Sequence, residues 1–134
     1  MEFKFFTNEL DEISKIIKES FEIEVNKSNF VLQDNQKILL LKDNNSVVGM
    51  TMITVKNDPF KNTKTFYLDY ICIKKEFRHK SLGRKMFEEV LRIAKDQNID
   101  KIELTSRKDR INARNIYFDY GMIIKDTDLF VKEL

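Results

Sequence analysis

The sequence has 134 residues, of which 42% are hydrophobic and 34% are charged. This length is that of one ordinary domain with a buried core, which excludes a second domain, so we expect a single domain over 1–134. The formal net charge of +2 by itself neither favours nor excludes a nucleic-acid partner. No apolar run is long enough to span a bilayer, residues 1–4 do not begin like a signal peptide, and Cys72 has no second cysteine to pair with. We therefore expect a cytoplasmic protein without a membrane partner.

The first half of the chain predicts a strand, two helices and a hairpin. Its helical signal is a stripe of apolar side chains three and four residues apart, and its strand signals are alternating or β-branched runs bounded by turn residues. The predicted elements are a strand at 2–6, a helix capped by Thr7 or Asn8, a weaker helix at 24–32, and hairpin strands at 37–41 and 47–55.

The second half predicts a strand, a crossover helix, another strand, a last helix and a closing hairpin. In chain order these are a loop at 56–64, a strand at 65–73, a helix at 81–96, a strand at 101–105, a helix at 110–120 that stops at Gly121, and strands at 122–124 and 129–132. This order is that of an α/β protein of the α+β type. We expect a mixed, mostly antiparallel central sheet of about six to seven strands with helices on both faces.

Positive charge is concentrated between the strand at 65–73 and the helix that follows it. From Lys74 to Lys85 there are six Lys or Arg residues and one acid, so the segment carries +5 and the rest of the chain −3. A helix N-terminus presents free N–H groups to an anion, and Gly83 removes a side chain from their path. The segment is therefore either a site for a phosphate-rich ligand or a solvated basic turn.

The spacing of two motifs decides between these interpretations. Ile71-x-Ile73 followed by Arg78-x-x-Ser81-x-Gly83 resembles the Arg/Gln-x-x-Gly-x-Gly/Ala signature of the GNAT superfamily of acyl-CoA-dependent N-acyltransferases. Further along, the chain resembles the end of the same family's domain through Leu104-Thr105-Ser106 and Arg110-x-x-Ala113-x-x-x-Tyr117-x-x-x-Gly121-Met122. Ser81 stands where the family has glycine, and Met122 where it has an aromatic residue. The resemblance covers residues 65–124 most specifically.

The resemblance implies a fold in which the fourth and fifth strands splay apart and hold the pantetheine arm of acetyl-CoA between them. Main-chain groups of Ile71 and Ile73 would pair with that arm, and an N–H near Ile71 or Cys72 would polarise the acetyl carbonyl. Amides from His79 to Arg84 would hold the pyrophosphate. The residues placed at acetyl-CoA in this way are Ile71, Cys72, Ile73, Arg78, His79, Lys80, Ser81, Leu82, Gly83, Arg84, Asn112, Asn115 and Tyr117.

The resemblance also implies two catalytic residues. Tyr117 would protonate the departing thiolate, and Asp69 is the candidate base for the amine, with Glu103 or water as alternatives. Tyr67, Asp69 and Ile71 are expected to alternate onto one face of their strand. Cys72 is expected to be a core residue, and His79 is given no catalytic role. With one histidine and one cysteine, no metal site is predicted.

The resemblance implies acetyl transfer from acetyl-CoA directly to a primary amine of a small molecule, through a ternary complex. A protein or peptide amine and a non-catalytic acetyl-CoA sensor or interaction module remain alternatives. Charged tRNA, and nucleic acid in general, is not expected because the basic residues are used at the coenzyme. The acceptor would lie among the first helices, the 56–64 loop and the final hairpin, where acidic residues could attract a polyamine or aminoglycoside. A homodimer is the common assembly of such relatives.

Overall fold

The computed structural model describes all 134 residues. Five strands form one sheet in the order β1-β2-β3-β4-β5, with antiparallel pairing except between β4 and β5, which are parallel. This confirms the predicted mixed, mostly antiparallel sheet. The elements are β1 (Glu2–Phe5), α1 (Leu10–Phe21), β2 (Gln36–Asp43), β3 (Ser46–Asp58), β4 (Thr63–Ile73), α2 (Leu82–Asp96), β5 (Lys101–Leu104) and α3 (Ile111–Asp119).

The sheet is covered on both faces, as predicted. Alternate residues of β2 point to opposite faces, so Leu39 packs into one core with α2, and Leu40 packs into another with α1. The α2-side core contains Phe66, Met86 and neighbouring apolar side chains, with part of α3 packed against it. None of the helices combines the length and apolar character needed to cross a membrane.

Two predicted elements are absent. The segment at 24–32 forms only a short 3-10 turn at Lys27–Asn29, because its apolar residues do not repeat on one helical face. The closing hairpin does not form either: residues 122–134 contain no strand, and Phe130 is 94% exposed. Two strands of three or four residues bury too little apolar surface to hold together unaided. The sheet therefore has five strands, not the six to seven expected.

The β3–β4 hairpin is longer than predicted. The pairing continues to Asp58 opposite Thr63, which reduces the loop from 56–64 to four residues. The Asp58 carboxylate accepts hydrogen bonds from the N–H groups of Phe60 and Lys61 and closes the turn. At about 3.3 Å per residue, the tip of this hairpin lies roughly 20 Å along β4 from Asp69. The loop is thus too distant from Asp69 to line an acceptor site beside that residue, contrary to the expectation for the 56–64 loop.

A β-bulge interrupts the pairing of β3 with β4. Met50 lies opposite Cys72 and Met52 opposite Asp69, so two residues of β4, Tyr70 and Ile71, face one residue of β3. Tyr70 has a φ of 52°, in the left-handed region. The extra residue reverses the alternation of side chains. Asp69 and Cys72 therefore point toward α1 while Ile71 points toward α2, and the expectation that Asp69 and Ile71 share a face is wrong.

The start of α1 depends on a buried carboxylate instead of a Thr7 or Asn8 cap. Glu9 is 6% exposed, and its Oε1 accepts the N–H groups of Thr7 at 2.9 Å and Asn8 at 2.8 Å. Its Oε2 lies 2.7 Å from Nζ of Lys4 in β1. Burial alone would raise the pKa of Glu9, but the Lys4 contact and the two N–H donors outweigh it and lower the pKa to about 2. Glu9 thus fastens the first strand to the first helix.

Replacing this carboxylate by an amide, Glu9→Gln, should lower the free energy of unfolding at neutral pH by about 1–2 kcal/mol, because charge-assisted hydrogen bonds are lost. The folded-state pKa lies below the ordinary 4.5, so this stabilisation is present above 4.5 and is lost as the pH falls toward 2. Urea denaturation at neutral and acidic pH measures the difference. Glu2→Gln, at an exposed position, is the control. An equal difference at both pH values would show that the charge of Glu9 is not what stabilises the fold.

Candidate active site

The fourth and fifth strands separate where the predicted site lies. Their pairing ends at Leu68 opposite Leu104, although β4 continues to Ile73. Beyond that point a cavity of about 290 Å³, called here the interstrand cavity, opens between the strands. The predicted splay is thus confirmed. The cavity is lined by Phe21, Leu68, Asp69, Tyr70, Ile71, Thr105, Ser106, Arg110 and Tyr117.

Tyr117 reaches the interstrand cavity from α3. Its ring packs against Phe87 of α2 with centroids 5.4 Å apart, which fixes the side chain in the α2-side core. Burial raises the pKa of the Tyr117 hydroxyl, and the Arg110 charge opposes that shift. The phenol therefore stays protonated at neutral pH and is able to donate a proton.

Asp69 lines the same cavity from the β4 side. Partial burial raises the pKa of its carboxyl, while the charge of Lys56 acts in the opposite direction. The ion pairs of the chain do not include Asp69. Glu103, the alternative base, is exposed, does not line the cavity and forms an ion pair with Lys101 at 3.0 Å. The geometry therefore favours Asp69 over Glu103 as a proton acceptor.

The loop before α2 leaves a run of main-chain donors free. The N–H groups of residues 79–84 make no main-chain hydrogen bond, and no side chain accepts from them. His79 and Ser81 have φ values of 63° and 62°, so the loop adopts the left-handed conformation at Ser81 without a glycine. A Cβ on Gly83 would meet Ile116 of α3 at 3.4 Å, an ordinary contact, so packing against α3 does not by itself require glycine at this position. Free amides at a helix N-terminus suit a pyrophosphate.

The two arginines predicted to add charge there have partners in the protein. Arg78 donates from Nε to the Ile73 carbonyl at 2.9 Å and from its terminal nitrogen to Ser20 Oγ at 3.2 Å. Arg84 forms an ion pair with Asp119 at 2.8 Å. Arg78 thus ties the loop to β4 and α1, and it occupies the carbonyl of Ile73 that was expected to face the pantetheine arm.

The remaining predicted residues fall into two groups. Cys72 and Leu82 have side chains buried in the two cores. Burial raises the pKa of the Cys72 thiol to about 11, which keeps it protonated and unreactive at neutral pH. Lys80, Asn112 and Asn115 are exposed, and none of them lines the interstrand cavity.

Sequence reasoning assigned no site role to several cavity residues. Tyr70 reaches the cavity only because of the bulge, which depends on cross-strand pairing that the sequence does not display. Phe21 enters from the end of α1, and Arg110 lies over its ring with 5.8 Å between guanidinium and centroid. Thr105 and Ser106 could have been identified as site residues from the sequence, since they are polar residues directly after an apolar strand.

Comparison with known proteins agrees with this geometry. The description "Acetyltransferase (GNAT) family" fits residues 6–122. Among solved structures, a ribosomal-protein-alanine N-acetyltransferase from Brucella melitensis biovar Abortus 2308 is 14% identical, with a TM-score of 0.82 and 100% of both chains covered. An aminoglycoside acetyltransferase from a soil metagenomic sample is 12% identical, with a TM-score of 0.83 over 99% of this chain and 95% of that one.

A third structure, of a protein from Clostridium acetobutylicum named as a predicted acetyltransferase and solved with acetyl-CoA, is 19% identical, with a TM-score of 0.76 over 98% of this chain and 95% of that one. No curated protein matches the sequence significantly. The chain belongs to the GNAT acetyltransferase family, and its fold is the GNAT fold. It is therefore an acetyl-CoA-dependent N-acetyltransferase. The first two neighbours are named for different acceptors, a ribosomal protein and an aminoglycoside, so the shared fold does not identify the acceptor of this chain.

The left-handed residue in the phosphate loop generates a prediction. Ser81→Gly should raise the free energy of unfolding by about 0.5–1 kcal/mol, because glycine removes the Cβ that opposes a positive φ. Urea denaturation measures this change. Lys80→Gly, in the same loop but with a negative φ, should give no increase. A loss of stability in Ser81→Gly would contradict the backbone conformation described here.

Proposed function

We propose that the chain transfers the acetyl group from acetyl-CoA directly to the primary amine of a small molecule, within a ternary complex. The observation that carries this proposal is that Asp69 and Tyr117 line one cavity, at the point where β4 and β5 separate. One side chain has the chemistry of a base and the other that of an acid. Acetyl transfer to an ammonium requires both.

The proton of the amine goes to Asp69. An alkyl ammonium has a pKa near ~10, so it must lose a proton before its nitrogen can attack. The raised pKa of Asp69 makes its carboxylate a stronger base than an ordinary aspartate. The amine lone pair then forms the new C–N bond at the acetyl carbonyl carbon, while the C–S bond breaks.

Main-chain groups of the bulge stabilise the charge on the carbonyl oxygen. The edge of β4 that faces β5 has no strand partner beyond Leu68, and a bulge leaves its extra residue outside the ladder. An N–H at Ile71 or Cys72 is thus available to a carbonyl lying in the interstrand cavity. The departing thiolate takes the proton of the Tyr117 hydroxyl. The nitrogen of the new amide then releases its second proton to the tyrosinate, and Asp69 returns its proton to solvent, which completes the transfer without an acyl-enzyme.

The cosubstrate's pyrophosphate fits the free amides of residues 79–84. These donors come from the main chain, so they need no particular side chain at Ser81. The Arg78 and Arg84 side chains act here by fixing the loop and α3, through the contacts at Ile73 and Asp119. Coenzyme binding and proton transfer therefore depend on separate sets of groups.

Asp69→Asn should lower kcat/KM by about 10²–10⁴-fold, because an amide cannot accept the proton of the ammonium. In the wild type, the acid limb of the pH–rate profile should lie above the ordinary aspartate pKa of 3.8, since burial raises the pKa of Asp69. Release of the coenzyme A thiol measures both quantities. Glu103→Gln is the matched control and should retain most activity. The opposite ranking of the two variants would make Glu103 the base.

Tyr117→Phe should lower kcat by about 10²–10⁴-fold while the affinity for acetyl-CoA stays nearly constant, because only the proton donor is removed. Steady-state kinetics and calorimetric titration separate the two effects. Tyr120→Phe is the control, since Tyr120 packs against the same Phe87 ring, but its hydroxyl bonds Glu88 on the surface of α2. Equal turnover in both variants would remove Tyr117 from the mechanism.

A further inference from the structure

We propose, building on the function proposed above, that the acceptor is a monoamine with an apolar tail, held in a second cavity beside Asp69. This apolar cavity measures about 250 Å³ and lies between α1, the irregular segment after it and the α1-facing side of the sheet. Nine of its eleven lining residues are hydrophobic. Those that bear on the ligand are Ile23, Val25, Met52 and Tyr70, joined by the polar Glu24.

The apolar cavity begins where the proposed base lies. Met52, in its wall, is the direct cross-strand partner of Asp69 on the same face of the sheet. Side chains paired in this way have Cβ atoms about 5 Å apart. Tyr70 lines both cavities. An amine held at Asp69 therefore has the apolar cavity as the nearest space for the rest of its molecule.

The partition between the two cavities is an aromatic pair. Phe21 and Tyr70 meet edge to face with centroids 5.4 Å apart. Tyr70 is 37% exposed and Ile23 40% exposed in the chain alone, so both present apolar surface that a ligand would cover. Covering such surface is favourable, and the gain grows with the length of the apolar group.

The charges around the apolar cavity argue against a polycation. Its only ionisable carboxyl is that of Glu24, which is exposed and paired with Lys18. A second ammonium carried into this space would lose its hydration without gaining a partner. The cavity is thus suited to a linear or branched alkyl chain or a single aromatic ring, and not to a polyamine or an aminoglycoside.

The test compares two acceptors that differ only at their far end, hexylamine and hexamethylenediamine. Hexylamine should have the higher kcat/KM by at least about tenfold, and from propylamine to hexylamine each methylene should raise kcat/KM by about three- to fourfold. The coenzyme A thiol released from acetyl-CoA is measured. Equal or better use of the diamine, or no gain with chain length, would overturn the inference.

A charge placed in the wall should reverse the preference. Val25→Asp adds a carboxylate to the apolar cavity and should reduce kcat/KM for hexylamine by at least about tenfold while favouring the diamine. Val31→Asp is the matched control, because Val31 is 70% exposed and outside the cavity. If Val25→Asp fails to fold by circular dichroism, Val25→Thr should shift the preference in the same direction by a smaller factor. Identical shifts in the Val25 and Val31 variants would contradict the assignment.

Calorimetry with hexylamine in the presence of coenzyme A separates this inference from the proposed function. Binding that Val25→Asp weakens, without thiol release, would support the apolar cavity and overturn the catalytic proposal. Thiol release with no preference for hexylamine over the diamine would support the catalytic proposal and overturn the inference about the apolar cavity. Neither binding nor turnover of hexylamine would overturn the inference about the acceptor.

Discussion

The structure depends on the unequal lengths of two neighbouring strands. β4 has eleven residues and β5 has four, so their parallel pairing ends at Leu68 and Leu104. Main-chain polar groups that lose a strand partner must be hydrated or bound to a ligand. Beyond Leu68, the edge of β4 that faces β5 therefore has main-chain groups without a strand partner. The interstrand cavity lies beside these groups. The crossover through α2 then brings a helix N-terminus with free amides next to the same edge.

The bulge in β4 determines which side chains of this strand point toward α1 and which point toward α2. Before it, Asp69 points toward α1; after it, Ile71 points toward α2. Without the extra residue, Cys72 would point toward α2 and Ile71 would share the α1 face with Asp69. The bulge thus leaves Asp69 on the α1 side, turns Cys72 into the α1-side core and turns Ile71 toward α2, so that both hydrophobic cores stay continuous. The cost is one non-glycine residue, Tyr70, in the left-handed region.

The sequence predicted the features that local pattern determines. The apolar stripes of α1 and α2, the β-branched run of β4 and the stop at Gly121, with a φ of 86°, needed no knowledge of distant contacts. The features it missed depend on pairing between remote segments. Neither the bulge nor the partners of Arg78 can be deduced from neighbours along the chain, and residues 24–32 and 122–134 lack strong periodicity. For the site, the motifs indicated Tyr117 and the amide loop, whereas Tyr70 and the apolar cavity emerged only from the three-dimensional arrangement.

The position of Tyr70 in the bulge affects how such an enzyme could change its preference for an acceptor. The extra residue of a bulge has no partner in the ladder, so its side chain can be exchanged without altering the register of β3 with β4. That side chain is a common wall of both cavities. One codon can therefore remodel the proposed acceptor cavity while the free amides of residues 79–84, and Asp69 and Tyr117, stay where they are. In evolutionary terms, the proposed sites for the acceptor and for proton transfer could change independently of each other.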